Sequence, residues 1–406
     1  MNFVAKTWSC GKARTGHLQL GNCPSPIETP ALLLPTCKGL PFFISPDLLP
    51  SLQCPDASLL HLSPLQFLDG LTPKTIEKVG GIHKLVGLHD CGFAALARDA
   101  VSCHPDFGAT SKLGAAFGTP CGRHLVNTGE YMEWISSLQP NIWTSIADEV
   151  PFGVSEKRNK LSVDRTVKWL DECIANSPKG AIFGAIVGGS NIIERNRCVS
   201  EIAKRDVSGY WIAGFGFGED INERNDLMNS VTDCLAKDKP RLISGLEFPV
   251  EVLHGVAAGI DIFHSPYTYR QTVDGYALTF PLDLNDWTDP DSEHKKLNLD
   301  PEETKLDLKS TIYRRDGSPI VKNCRCYTCQ NHTRAYINHL LNVREMLGQT
   351  LLDIHNTYHY LGFFRMIRES IRNHKFDLLR QRFVQKWQVS LPEASILLPE
   401  HVSSHP

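Results

Sequence analysis

The sequence predicts an α/β fold of parallel strands joined by crossover helices, followed by a separate helical segment that carries clustered cysteines. Two patterns support this. Between about residues 140 and 280, short apolar runs alternate with amphipathic segments. Near the C-terminus, three cysteines fall close together and a long helical pattern follows them. Strand-like runs regularly followed by helices are what a parallel sheet with crossovers requires.

LLHLSPLQF (59–67) and KLVGLHD (84–90) read as early strands. IWTSIAD (142–148) precedes the helical pattern VDRTVKWLDECIA (163–175), and AIFGAIVGG (181–189) precedes NIIERNRCVSEIAK (191–204). GYWIAGFGFGE (209–219) leads into DINERNDLMNSVTDCLA (220–236). PRLISGLEF (240–248) leads into PVEVLHGVAAG (249–259), and IDIFHSPY (260–267) follows. Glycines and acidic residues at the strand ends suit βα loops, where barrel enzymes place their sites. Local pattern alone also fits a doubly wound open sheet. Residues 281–310 are charged and Pro-interrupted and read as an exposed linker. Residues 311–387 hold the cysteines and C-terminal helices, and 388–406 form a tail.

A chain of 406 residues with 42% hydrophobic content can bury a large core. No apolar run reaches the length of a membrane span, and the N-terminus lacks a signal-peptide core, so a soluble intracellular protein is expected. The net charge of −3 means that any nucleic-acid contact must come from a local basic surface. Arg365, Arg368, Arg372, Lys375, Arg380, Arg382 and Lys386, opposed by Glu369 and Asp377, form one such stretch. A solvated helix face explains them equally well.

Cys324, Cys326 and Cys329 can wrap one ion, and His355 from a downstream helix can close a tetrahedron. That donor set suits a structural Zn²⁺ with no position open to substrate. Disulfides are the competing explanation, but three clustered thiols cannot all pair with one another. Thirteen cysteines, an odd number, point to a reduced interior. His332, His339 and His359 compete with His355 for the fourth place.

C-x-C-x-x-C followed by NHTRAYINHLL and LLDIHN resembles the zinc segment of the tRNA-guanine transglycosylase family. FGAIVGG (183–189), AGFGFGE (213–219), DKPRLISG (238–245), AGIDIFHS (258–265) and SVDRTVKWLDEC (162–173) follow that family's order. The likeness runs from about residue 140 onward, with a weaker match beginning at TPALLLPTCKG (29–39). It implies a (β/α)8 TIM-type barrel over 1–280 with a C-terminal zinc-binding helical insertion. It also implies exchange of guanine for queuine at the wobble position of tRNA.

That chemistry needs a carboxylate nucleophile for C1′ and a proton donor for the departing base. Where the family carries the nucleophilic Asp of G-V-D-M-F-D, Gly259-Ile260-Asp261-Ile262-Phe263-His264 places His264. The nearest match to D-S-G-G-F-Q is His89-Asp90-Cys91-Gly92-Phe93. Asp148 matches a base-recognition position, and Val187 stands where a glutamine is expected. These departures resemble a branch that keeps the barrel and zinc but serves as the non-catalytic half of a heterodimer with a catalytic subunit. The expected partners are that subunit and tRNA with a wobble guanine, the tRNA backbone meeting Arg365, Arg368 and Arg372. Two alternatives stay open: a self-sufficient transglycosylase using His264 or Asp261, and a zinc-bearing tRNA-binding protein. The resemblance places the chain in the cytoplasm and allows peripheral attachment to the mitochondrial outer membrane.

Overall fold

A computed structural model describes residues 1–9, 11–52, 56–176, 180–288 and 304–388. Its centre is a barrel of eight parallel strands: β1 (Ala31–Leu33), β2 (Leu59–Leu62), β3 (Gly92–Ala95), β4 (Ile142–Thr144), β5 (Ala181–Ile186), β6 (Gly209–Ile212), β7 (Arg241–Ser244) and β8 (Ile262–His264). Hydrogen bonding runs in the order β1-β8-β7-β6-β5-β4-β3-β2. A parallel bridge between Leu34 and Leu60 joins the two outer members, with Leu34 N donating to Leu59 O at 3.0 Å and His61 N to Leu34 O at 2.8 Å. The sheet therefore closes, which decides against the open architecture. Nearly every strand residue is buried, as expected when side chains fill the inside and helices cover the outside.

The outer helices are α1 (Pro73–Val79), α2 (Thr128–Leu138), α3 (Glu156–Ala175), α4 (Ile192–Ala203), α5 (Ile221–Asp233), α6 (Pro249–Ala257) and α7 (Tyr267–Asp274). Asn127, Ser155, Asn191 and Asp220 cap α2 to α5 by accepting a backbone N–H from the first turn. Along α3, Val163, Thr166, Trp169, Leu170 and Cys173 form the buried stripe, at the spacing legible in the sequence. KLVGLHD (84–90) is a correction. Ile82–Val86 is a short helix ended by Gly87 in the left-handed region at φ 73°, and the strand begins only at Gly92. Apolar residues bracketed so closely by glycines leave no room for a strand.

The N-terminal end of the barrel is covered by an antiparallel sheet of Asn2–Trp8, Arg14–Gln19 and Ile27–Thr29. Arg14 is fully buried and donates to both oxygens of Asp261, at 2.8 and 2.6 Å, and to Lys239 O at 3.0 Å.

The C-terminal segment adds α8 (Tyr327–Asn331), α9 (Arg334–Asn342), α10 (Met346–Arg372) and α11 (Phe376–Gln388). Helix α10 packs against α7, β1 and the strand Tyr276–Leu278, and buries side chains on nearly every side. It stands in the barrel wall next to β1, where the described residues between β1 and β2 hold no α-helix and, as helical structure, only the 3-10 turn Leu49–Leu52. The expected linker 281–310 is packed at both described ends. Leu284 and Trp287 are buried on a short helix, and Lys305–Asp307 pairs with Tyr276–Leu278 ahead of the buried Leu308. Apolar residues at intervals among the charges give each end a buried face. Residues 289–303 and the tail from 389 lie outside the described residues.

Candidate metal centre and the barrel mouth

Cys326 caps α8, its sulfur accepting Cys329 N–H at 3.3 Å, so the turn that starts the helix gathers the cysteines. His355 Nδ1, on α10, lies 4.0 Å from Cys324 Sγ, 3.5 Å from Cys326 Sγ and 3.4 Å from Cys329 Sγ. A tetrahedral ion with ordinary sulfur and imidazole bond lengths would hold sulfur and nitrogen about 3.6 Å apart. The four donors thus already stand at coordination spacing and form a group able to hold a metal ion. Cys326 and His355 are fully buried. Hydrogen bonding with Cys326 and Cys329 holds the Cys324 thiol far below the usual range, toward the deprotonated form that a cation needs.

The surroundings fix this geometry. His355 Nε2 donates to Leu278 O at 2.8 Å, which leaves Nδ1 with its lone pair toward the sulfurs. Asn356 holds the same strand, accepting from Leu278 N at 2.9 Å and donating to Tyr276 O at 2.9 Å. Thr328 Oγ1 donates to Leu351 O at 2.6 Å, tying α8 to α10. Of the competing histidines, His359 is bonded instead to Phe280 O at 2.9 Å, and His332 stacks on Tyr336. Neither they nor His339 belong to the cluster.

The C-terminal mouth of the barrel is organised differently. His264 ends β8 and is fully buried, its ring stacked on His61 of β2 with centroids 4.1 Å apart and planes inclined by 16°. Burial, with smaller contributions from His61 and Arg98, pushes its pKa well below the ordinary 6.5, so it stays neutral. Enclosed at 1% exposure, the neutral ring is closed off from a sugar carbon although its Nε2 has no partner. Asp261 precedes the strand, so it sits at the opposite end of the barrel. It is held there by Arg14 and by Arg241 N–H at 2.8 Å and cannot serve as a nucleophile at the mouth.

Asp148 and the amides of the glycine-rich loop are satisfied internally, whereas the His61 ring nitrogens and His264 Nε2 have no partner. Asp148 is fully buried and taken by Arg158 at 2.6 and 2.8 Å and by Arg165 at 3.0 Å. Gly214 N–H goes to Glu149 at 2.7 Å, and Phe217 N–H goes to Glu219 at 2.9 Å. The glycine-rich loop therefore gives its amides to the protein's own carboxylates. Val187 adds an apolar wall where a purine edge would need a partner.

Two sequence expectations fail here. Asp90 is exposed and precedes β3, away from the mouth, whereas Asp99 follows β3, is fully buried and lies 3.9 Å from His61. Asking which acid comes after the strand GFAA, rather than which stretch best matches a motif, would have found Asp99. Arg368 is withdrawn from the surface, whereas Arg365 and Arg372 stay 36% and 43% exposed beside acidic partners. Arg368 is buried, donating to Pro30 O at 2.9 Å and Asp56 at 2.6 Å. Arg365 pairs with Asp56 at 3.0 Å and Arg372 with Glu28 at 2.7 Å. Their acidic partners come from the far N-terminal part of the chain, so no local pattern reveals them. Among the described residues no helix is long and apolar enough to cross a membrane.

A family model described as queuine tRNA-ribosyltransferase matches residues 9–389. Proteins named queuine tRNA-ribosyltransferase accessory subunit 2 are similar over most of their length. The one from Homo sapiens is 35% identical over 332 residues, covering 74% of this chain and 79% of its own. The one from Danio rerio is 32% identical over 392 residues, covering 89% and 93%. The one from Drosophila grimshawi is 30% identical, covering 91% and 89%. The family model covers nearly the whole chain and these relatives are 30–35% identical over most of it, so this chain belongs to the queuine tRNA-ribosyltransferase family.

Proposed function

We propose that this chain is the non-catalytic subunit of a heterodimeric queuine tRNA-ribosyltransferase, which exchanges guanine for queuine at the tRNA wobble position. The observation that carries the reading is His264 in the nucleophile's place, buried and stacked on His61. The names of the similar proteins support the same role. The Cys324, Cys326, Cys329 and His355 cluster holds one structural Zn²⁺. All four protein donors converge on it, so the ion has no position for substrate and joins the insertion to α10.

The insertion suits the two expected partners. Ile312 and Met346 expose 74% and 82% of their surface there and offer apolar contact to the catalytic subunit. Arg314, Arg315, Lys322 and Arg325 are exposed on the same segment and offer contacts to the tRNA backbone. Phosphate contacts of this kind give affinity and position without reading sequence. The work is cytoplasmic in this reading, with peripheral attachment at the mitochondrial outer membrane as its membrane-facing form.

The test is base exchange into wobble-guanine tRNA by the purified zinc-loaded chain, alone and mixed with a catalytic transglycosylase subunit. Exchange only in the mixture is expected. Turnover by the chain alone would favour the self-sufficient reading and make His264 the residue to replace.

A further inference from the structure

His61, Asp99 and His264 meet inside the barrel mouth, with ligand-type atoms that all lie within 4.8 Å of one another. All three side chains are essentially inaccessible. Neither ring nitrogen of His61 has a hydrogen-bond partner, and His264 Nε2 has none either. The nearest approach to His61 Nδ1 is Asp99 Oδ1 at 3.9 Å, beyond hydrogen-bond reach. Leaving a buried polar atom unpaired costs about 1–3 kcal/mol, and three such atoms at one point need an explanation. We propose that His61, Asp99 and His264 bind a second divalent transition-metal ion, separate from the Cys3His centre and held by two imidazoles and one carboxylate.

The neighbouring groups are arranged as supports for such ligands. Ser244 Oγ lies 3.3 Å from His264 Nδ1 and 3.0 Å from Trp211 Nε1. Ser244 Oγ accepts from Trp211 Nε1, and in the tautomer with the proton on Nδ1 it accepts from His264 as well, which leaves the Nε2 lone pair free. Asp99 Oδ2 accepts from Gln66 Nε2 at 3.0 Å and Ser102 N at 3.0 Å, while Oδ1 faces His61 and takes only Val101 N–H at 3.2 Å. The carboxylate is thereby turned toward the rings. Because the two rings are stacked with planes only 16° apart, one of them must turn out of the stack before both in-plane lone pairs meet at one ion, with the donors closing to the roughly 3.3 Å of a tetrahedral nitrogen and oxygen set. Nitrogen and carboxylate donors without sulfur favour zinc, iron or cobalt over soft ions. An ion here would close the mouth to a purine from within.

The test is metal stoichiometry of the full chain, produced with Zn²⁺ or Co²⁺ present while the barrel closes and then dialysed free of loose ions. Two ions per chain are expected. His264→Gln and His61→Gln should each lose one and keep the thiolate-to-cobalt absorption of the Cys3His centre. Cys326→Ser should keep the other ion with ligand-field bands and no thiolate absorption. A single ion in the unaltered chain overturns the proposal, whatever the variants do. Two ions that survive both histidine replacements overturn it as well. Should the histidine variants fail to fold, the Cys326→Ser spectrum decides: no cobalt bands sinks the proposal, and nitrogen and oxygen ligand-field bands sustain it.

Discussion

The Cys324–His355 cluster and the barrel mouth are both buried meeting points of distant chain segments, yet their polar groups are arranged to opposite ends. In the cluster, four donors converge, and His355, Asn356 and Thr328 are each braced from behind by the backbone of a neighbouring element. At the mouth, the groups that would face a nucleobase are turned on one another: Asp148 on two arginines, the glycine-loop amides on Glu149 and Glu219, His264 on His61. The difference teaches where this chain keeps its geometry. What joins the insertion to the barrel is fully supported, and what would bind substrate is filled.

Removing the metal donors should give the largest effect. Cys326→Ser should lose the Cys3His ion, and the stability lost should be on the order of several kcal/mol, because the ion's binding energy is folding energy. Retention of the catalytic subunit should fall with it. Metal analysis alongside a pull-down checks this, and full retention without metal would separate the insertion from partner binding.

Next come the arginines once read as tRNA contacts. Arg368→Met removes a buried guanidinium from Pro30 O and from Asp56, which Arg365 still partners, and should cost about 1.5–3 kcal/mol in urea unfolding. tRNA affinity per folded molecule should not change. Reversing Arg314, Arg315 and Lys322 to Glu should do the converse: stability within about 0.5 kcal/mol, weaker tRNA binding, and a salt dependence flatter by nearly one unit of slope for each lost phosphate contact. Binding unchanged across salt concentrations would remove that surface from the account.

The smallest effect is a pH dependence, to which the mouth contributes together with His359 on α10, held at about 3 by burial. Burial lowers the pKa of both His61 and His264 from 6.5. Below about pH 6.5 the unfolded chain takes up protons that these native rings refuse, so stability falls as pH drops, by up to about 1 kcal/mol per unit for each ring. Asp353, pushed up to about 7 by burial, acts in the opposite sense: its native carboxyl takes a proton first and offsets part of the loss. Stability measured from pH 7.5 to 5.5 should decline on balance. A flat or rising profile would contradict neutral, enclosed histidines.

The sequence was most legible where function follows local spacing. C-x-C-x-x-C with His355 announces the metal cluster, and the four strand-helix pairs from Ile142 onward, with the strand that follows them, announce five of the eight barrel strands. Short early strands were harder, because β1 is only three residues and β3 begins just after a glycine-bracketed turn. What stayed hidden depends on partners far apart in the chain: Arg368 with Asp56, Arg14 with Asp261, and His61 with Asp99 and His264. A single residue's type says nothing of such partners until the barrel closes around it.

The central claim is that all base-exchange chemistry belongs to the partner. The direct measurement is exchange by the heterodimer when the catalytic subunit has lost its own nucleophilic carboxylate and this chain is unaltered. The account predicts no exchange above background. Exchange that persists, and disappears when His264 of this chain is replaced, would contradict it.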